Sequence, residues 1–101
     1  MDGEFSFSAP VWVYEGEAAW YFVTLPRGVA AKVRECIAGT AKPFGSVKVS
    51  ATLGTTRWKT SLFPDKKSNS YVLPIKAAVR QKEQVHAGMT VEVFLLVNPA
   101  V

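Results

Sequence analysis

The chain has 101 residues, of which 49% are hydrophobic and 20% are charged, with a net charge of +4. This composition excludes an intrinsically disordered chain, and no apolar run is long enough for a membrane-spanning helix. The length predicts one domain over residues 1–101. We expect a cytoplasmic protein, because the lone Cys36 cannot form an internal disulfide and the first residues lack the pattern of a signal peptide.

The first half of the chain is predicted to form a hairpin, a helix and a third strand. Alternating apolar side chains indicate strands, and Pro10 within the first of them is typical of an edge or bent strand. Pro26 suits the first turn of a helix, and Gly39 suits its end. The predicted elements are strands at 5–14, 19–25 and 47–53, with the helix between the second and third.

The second half is predicted to contain the same kinds of element. A polar loop at 64–70 separates two strands, Pro74 opens a helix, and a turn at His86 to Gly88 leads into the last strand. The predicted strands are 57–63, 71–73 and 91–97.

The two halves therefore follow one plan, over residues 5–53 and 54–98. Each contains a hairpin, a Leu-Pro pair, a short helix, a glycine and a Val-x-Val strand. Pairing each unit with its copy would cover their exposed sheet edges. The plan predicts a mainly β protein: a small closed or nearly closed β-barrel with an internal pseudo-two-fold repeat and two helices covering its ends. The alternative is coincidence, since Leu-Pro before a helix is common.

Four segments in order carry a resemblance that spans almost the whole chain. They are WYFVTLP (20–26), RWKTSLFP (57–64), YVLPIKAAVR (71–80) and AGMTVEV (87–93). Together they resemble a bacterial domain-of-unknown-function family, numbered nineteen hundred and five. The resemblance implies a double-split β-barrel, a fold shared with bacterial transition-state regulators and antitoxin-type DNA-binding proteins, but it implies no reaction. The family commonly has Gly-Asp where this chain has Gly88-Met89, so any role of that carboxylate is in doubt here.

Basic and aromatic residues form the most suggestive functional group. Arg57, Lys59 and Ser61 share one strand face by the two-residue repeat. Lys76 and Arg80 share one helix face. If the barrel brings them together, the cations could hold an anion while an aromatic ring stacks on its organic part. The candidate ligand-binding residues are Arg57, Ser61, Tyr71, Lys76, Arg80, Trp20 and Trp58.

Each candidate has an expected role. Arg57 and Arg80 would pair with the anion, Ser61 and Tyr71 would donate hydrogen bonds, and Trp20 or Trp58 would form a stacking wall. The competing interpretation is that the aromatic rings fill the barrel and the charged side chains extend over them into solvent. Which strand face points inward, that of Arg57 and Ser61 or that of Trp58 and Thr60, is left open by the sequence.

Other chemistry is poorly supported. His86 is the one histidine, and nothing local holds Ser61 or Asp65 against it. Cys36 lies on the apolar face of the predicted helix, as a structural thiol would. One Cys, one His and scattered carboxylates do not make a metal site, and no phosphate loop or dinucleotide fingerprint occurs. We predict no catalytic residue, no metal and no cofactor.

Three functions are therefore carried forward. The leading one is a non-enzymatic binding module for a small anionic ligand or a protein partner, acting as a monomer or weak homodimer away from membranes. The first alternative is a nucleic-acid-binding regulator or antitoxin-like protein, which predicts steeply salt-dependent affinity. The second alternative is an enzyme, which needs a carboxylate such as Glu83 or Asp65 to face the region of Arg57 and Arg80.

Overall fold

The chain folds into strands and two helices, described by a computed structural model over residues 3–38 and 45–97. In chain order the elements are β1 (Glu4–Tyr14), β2 (Trp20–Thr24), α1 (Arg27–Ile37), β3 (Val47–Leu53), β4 (Thr56–Asp65), β5 (Ser70–Pro74), α2 (Ala77–Glu83) and β6 (Thr90–Val97). The predicted helix end at Gly39 and the end of the second repeat at residue 98 lie outside the described residues. Neither described helix has the length and apolar character needed to cross a membrane.

The six strands close into an antiparallel barrel in the order β1-β2-β5-β4-β3-β6. Exchanging β1 with β4, β2 with β5 and β3 with β6 leaves this order unchanged, so the topology has a pseudo-two-fold axis. The prediction of a mainly β barrel with two helices is confirmed. The assignment of residues 1–101 to one domain stays a prediction.

Two long strands divide their pairing between two neighbours. β1 pairs with β6 through residues 4–10 and with β2 through residues 11–14. β4 pairs with β3 through residues 56–62 and with β5 through residues 63–65. The wall therefore opens once between β1 and β2 and once between β4 and β5, which is the double-split arrangement. Pro10 lies where β1 changes partner, a position at which its missing N–H costs little.

Alternate side chains of the strands fill the barrel. Val23 and Leu73 face each other across the β2–β5 pair, and both are completely buried. On β4 the inward residues are Trp58 and Leu62, with 7% and 0% of their surfaces exposed, whereas Arg57 is exposed. The sequence did not decide which face of β4 points into the barrel. In the structure the ring of Trp58 belongs to the core, and the face that carries Arg57 is turned outward.

The two helices cover the splits unequally. α1 begins after Pro26, as predicted, and buries Ala30, Val33 and Ile37. α2 has seven residues against eleven in α1, and its buried residue is Val79. The split between β4 and β5, beside the shorter helix, contains a pocket.

The prediction that Pro74 opens α2 is wrong, because Pro74 ends β5 and the helix begins three residues later. The two hydrogen bonds that flank the β2–β5 pair explain the error. The N–H of Leu25 donates to the carbonyl of Tyr71 at 3.0 Å, and that of Ile75 donates to Tyr21 at 2.8 Å. In these two bonds, Leu25 and Tyr21 of the first half take the places of Ile75 and Tyr71 of the second, 50 residues later. The two Leu-Pro pairs lie 48 residues apart, so they are not equivalent in the fold.

The predicted polar loop at 64–70 is also too long. β4 continues to Asp65, and β5 already begins at Ser70. The turn between them is held by the Asp65 carboxylate, which accepts hydrogen bonds from the backbone N–H and the hydroxyl of Ser68 at 3.2 and 2.6 Å. An Asp that bonds the backbone in this way needs only a four-residue turn.

Candidate functional site

A pocket of about 590 Å³ lies in the split between β4 and β5. We call it the split pocket. Its walls are the start of β2 with the two preceding residues, the middle of β4, the end of β5 and the first part of α2. Its aromatic and polar lining residues are Trp20, Tyr21, Trp58, Lys59, Thr60, Ser61, Phe63, Lys76 and Arg80.

The charges around the split pocket have one sign. Lys59 lies on β4, Lys76 is the residue before α2, and Arg80 lies within α2. Among residues 3–38 and 45–97, no Asp or Glu lines the pocket. Because clefts with walls of low dielectric focus such a field, the charges of the lining make the local potential positive.

Arg80 is held in a fixed orientation at this pocket. Its Nε donates a hydrogen bond to the backbone carbonyl of Ile75 at 3.0 Å. Its guanidinium carbon lies 3.8 Å from the centroid of the Tyr21 ring. Stacking and hydrogen bonding together reduce the rotamer freedom that Arg80 would lose on binding a ligand. The side chain is half-buried, so its charge is less screened by water than that of an exposed lysine.

Trp20 forms the exposed aromatic wall of the split pocket, with 54% of its surface accessible. Its ring stacks almost parallel on Phe22, with centroids 6.2 Å apart and an interplanar angle of 12°. Phe22 in turn contacts Trp12, whose Nε1 donates to the Thr24 hydroxyl at 2.9 Å. This row of rings on the outer face of the hairpin fixes the plane of the Trp20 indole.

The structure places five of the seven candidate residues around the split pocket: Trp20, Trp58, Ser61, Lys76 and Arg80. Arg57 lies on the same face of β4 as Lys59, but about 7 Å further along the strand, as the two-residue repeat dictates. It lines a different depression of about 360 Å³, beside Glu4 and Phe94.

Tyr71 belongs to the other half of the barrel. It is the pseudo-symmetric counterpart of Tyr21 and lines a third depression, which also contains Arg34 and Asp65. The guanidinium carbon of Arg34 lies 5.7 Å from the Tyr71 ring centroid, and its Nη2 donates to the carbonyl of Asn69 at 2.7 Å. This half therefore also has an arginine that contacts a tyrosine ring and donates to a backbone carbonyl, but the arginine lies further from the ring and a carboxylate, Asp65, lines the depression.

Tyr21 and Lys59 line the pocket although neither was among the candidate residues. Lys59 shared a predicted strand face with Arg57 and Ser61, so the two-residue repeat of a strand could have identified it as a candidate. Tyr21 could have been found by aligning the two halves at a spacing of 50 residues, because this alignment pairs it with Tyr71. An alignment on the two Leu-Pro pairs does not.

Glu83 and Asp65, the two carboxylates considered for an enzyme, are both bound to turns. Glu83 Oε2 accepts hydrogen bonds from the Thr56 hydroxyl at 2.5 Å and from the N–H and hydroxyl of Thr55 at 3.3 and 3.2 Å. The hydrogen bond from Thr56, with smaller contributions from Thr55 and the charge of Lys82, lowers the pKa of this carboxyl below its ordinary 4.5, although desolvation, the second-largest effect, opposes the shift. Neither carboxylate lines the split pocket.

Other reactive side chains lie apart from the pocket. Cys36 is half-buried against the core, and His86 is exposed in the turn that precedes β6. Met89, at the position where the family commonly has Asp, also packs against the core. Within the described ranges, no three His, Cys, Asp or Glu side chains come together in a way that could hold a metal ion.

The closed barrel, in which β1 and β4 each divide their pairing between two neighbours, defines the class of the protein as a double-split β-barrel domain. The chain belongs to the family described as Domain of unknown function (DUF1905), whose model matches residues 7–95. The resemblance of the four segments to this family is therefore confirmed. No curated protein matches the chain.

Proposed function

We propose that the protein is a non-enzymatic binding module whose split pocket holds a small anionic ligand. The observation that carries the proposal is the set of three cationic side chains, Lys59, Lys76 and Arg80, around a pocket with aromatic walls and no lining carboxylate among the described residues. Charge-assisted hydrogen bonds from such groups are roughly twice as strong as those between neutral partners. The Ser61 and Thr60 hydroxyls add donors near the same cations.

The remaining parts of the proposal concern the setting of the protein. The lone Cys36 supports a reducing compartment, so we include a cytoplasmic location. A monomer or weak homodimer is included because the barrel closes without a second copy, which covers the sheet edges within one chain.

A thermal-unfolding titration with inorganic phosphate tests the anion site, with ionic strength held constant by chloride. A ligand at ten times its Kd adds about 1.4 kcal/mol to the free energy of unfolding. For a domain of this size, that raises Tm by roughly 6–10 °C. Phosphate also stabilises proteins by exclusion from their surfaces, so the difference between variants is the readout rather than the raw shift.

Matched variants separate the pocket from general effects. Arg80→Ala and Lys59→Ala should lose most of the phosphate-dependent rise in Tm. Arg34→Ala removes the arginine that contacts Tyr71 in the other half, and Lys32→Ala removes an exposed lysine of α1; both should keep the rise. An equal rise in all four variants would mean that the split pocket is not the anion site.

A further inference from the structure

The split pocket has two chemically different parts. Its cations lie on β4 and α2, whereas aromatic and aliphatic side chains supply much of the remaining wall, including Trp20 and Ile75. A lone inorganic ion would satisfy the first part and leave the second solvated. The volume of about 590 Å³ falls within the roughly 300–1,000 Å³ of sites that bind drug-sized molecules. The lining therefore favours a ligand with a charged group joined to an apolar group.

The charged group is best matched by a phosphate monoester. Three cations without a neighbouring carboxylate leave more positive charge than a single carboxylate would neutralise. A phosphate monoester carries a charge of about −1.5 to −2 at pH 7 and three strong acceptor oxygens. The planar fork of Arg80 suits bidentate recognition of such a group, and the lysines act as point charges.

The apolar group is best matched by a planar ring. Trp20 presents an exposed indole whose plane is fixed by its near-parallel stacking on Phe22. The Arg80 guanidinium, whose carbon lies 3.8 Å from the Tyr21 ring centroid, gives the lining a second planar group. Flat aromatic surfaces bind other rings by offset stacking, and the stack is tolerant of which ring it receives.

We propose that the ligand of the split pocket is a phosphate monoester carried on a planar ring, as in a nucleoside monophosphate, with Trp20 as the stacking wall. This inference rests on the proposed anion-binding function and adds the chemical class of the ligand. The cations hold the phosphate oxygens, and the ring lies against the indole.

Equilibrium dialysis at constant ionic strength tests the proposal with phenyl phosphate, propyl phosphate, benzoate and adenosine monophosphate. The two ring-bearing phosphates should bind roughly tenfold more tightly than propyl phosphate, the magnitude expected for one stacked ring. Benzoate should bind more weakly than phenyl phosphate. Trp20→Ala should abolish the preference for the ring and leave the Kd of propyl phosphate within about twofold. Phe94→Ala, which removes a similarly exposed ring outside the pocket lining, should keep the preference.

The outcomes distinguish this inference from the proposed function. Equal Kd values for phenyl and propyl phosphate, or a preference that survives in Trp20→Ala, would overturn the ligand class while the anion site stands. Benzoate binding as tightly as phenyl phosphate would overturn the phosphate requirement. Failure of every phosphate to bind would overturn the proposed function itself. Such a phosphate could belong to a free nucleotide or to the end of a nucleic-acid strand, and a 5′-phosphorylated deoxythymidine hexamer separates the two. A site for strand ends should bind the hexamer more tightly than adenosine monophosphate. A site for free nucleotides should bind the hexamer no more tightly than adenosine monophosphate.

Discussion

Arg80 should stabilise the fold as well as face the pocket, and the size of this effect follows from its two contacts. A cation–π contact contributes about 0.5–1 kcal/mol at exposed sites and about 2 kcal/mol when desolvated. The half-buried Arg80, 3.8 Å from the Tyr21 ring centroid, should therefore couple to Tyr21 by about 1 kcal/mol. The hydrogen bond from its Nε to Ile75 adds about 1 kcal/mol. Arg80→Ala is thus expected to lower the free energy of unfolding by about 2 kcal/mol.

A double-mutant cycle isolates the cation–π contact. Arg80→Ala, Tyr21→Leu and the double variant are unfolded in urea while tryptophan fluorescence is followed. The hydrogen bond to Ile75 is missing from both variants that lack Arg80, so it cancels from the coupling. With an m-value of about 1 kcal/mol/M, the midpoint of Arg80→Ala should fall by about 2 M urea.

The contact between Arg34 and Tyr71 in the other half provides the control for this cycle. Arg34 is an exposed residue, and its guanidinium carbon lies 5.7 Å from the Tyr71 centroid, close to the outer limit of about 6 Å for such contacts. Its cycle should give a coupling below about 0.5 kcal/mol. A coupling between Arg80 and Tyr21 that is no larger than the one between Arg34 and Tyr71 would refute the reasoning.

Two further predictions concern the turn between β3 and β4. Gly54 and Gly45 both have positive φ, so alanine at either position brings backbone strain of about 1 kcal/mol. A methyl group at 54 also meets the Glu83 carboxylate, whereas the space at 45 is open. Gly54→Ala should therefore lower the urea midpoint more than Gly45→Ala does, and equal losses would contradict this account. The pKa of Glu83 is lowered by folding, so its stabilising contribution is complete above about pH 4.5 and is lost as the pH falls through the lowered pKa. Urea midpoints between pH 3 and 7 should show wild type exceeding Glu83→Gln at neutral pH, with the difference shrinking in acid; a difference independent of pH would rule this out.

Much of the fold could be predicted because strand alternation is a local property. The bounds of β3 at Val47–Leu53 agree with the predicted 47–53, since each apolar residue there is buried and its polar neighbours face outward. The start of α2 could not be predicted in this way. Pro74 suits both the end of a strand and the first turn of a helix, and the β2–β5 pairing decides between the two.

In the candidate site too, features set by local spacing could be predicted, whereas features set by long-range pairing could not. Ser61 shares a strand face with Lys59, and both line one pocket. Lys76 and Arg80 line the same pocket, although Lys76 is the extended residue before α2 and does not share a helix face with Arg80. The strand repeat does not say how far along β4 the pocket extends. Residues 58–61 of β4 line it, whereas Arg57 lies in a separate depression.

The role of Tyr71 depended on long-range pairing in another way. The sequence contains two equivalent tyrosines, and the barrel assigns each to a different helix. Tyr21 lies under Arg80 of α2, whereas Tyr71 lies under Arg34 of α1. Neither spacing nor composition distinguishes these assignments, because they depend on which helix covers which split.

The most direct test of the anion site in the split pocket is an amide chemical-shift map of the ¹⁵N-labelled protein titrated with phenyl phosphate at constant pH and ionic strength. The account predicts that the largest, saturable changes fall on Trp20, on Lys59 to Ser61 and on Lys76 to Arg80. The amides around Arg34 and Asn69 in the other half should change little. Changes that are spread over the surface without saturation, or that centre on Arg34 and Asn69, would contradict the central claim.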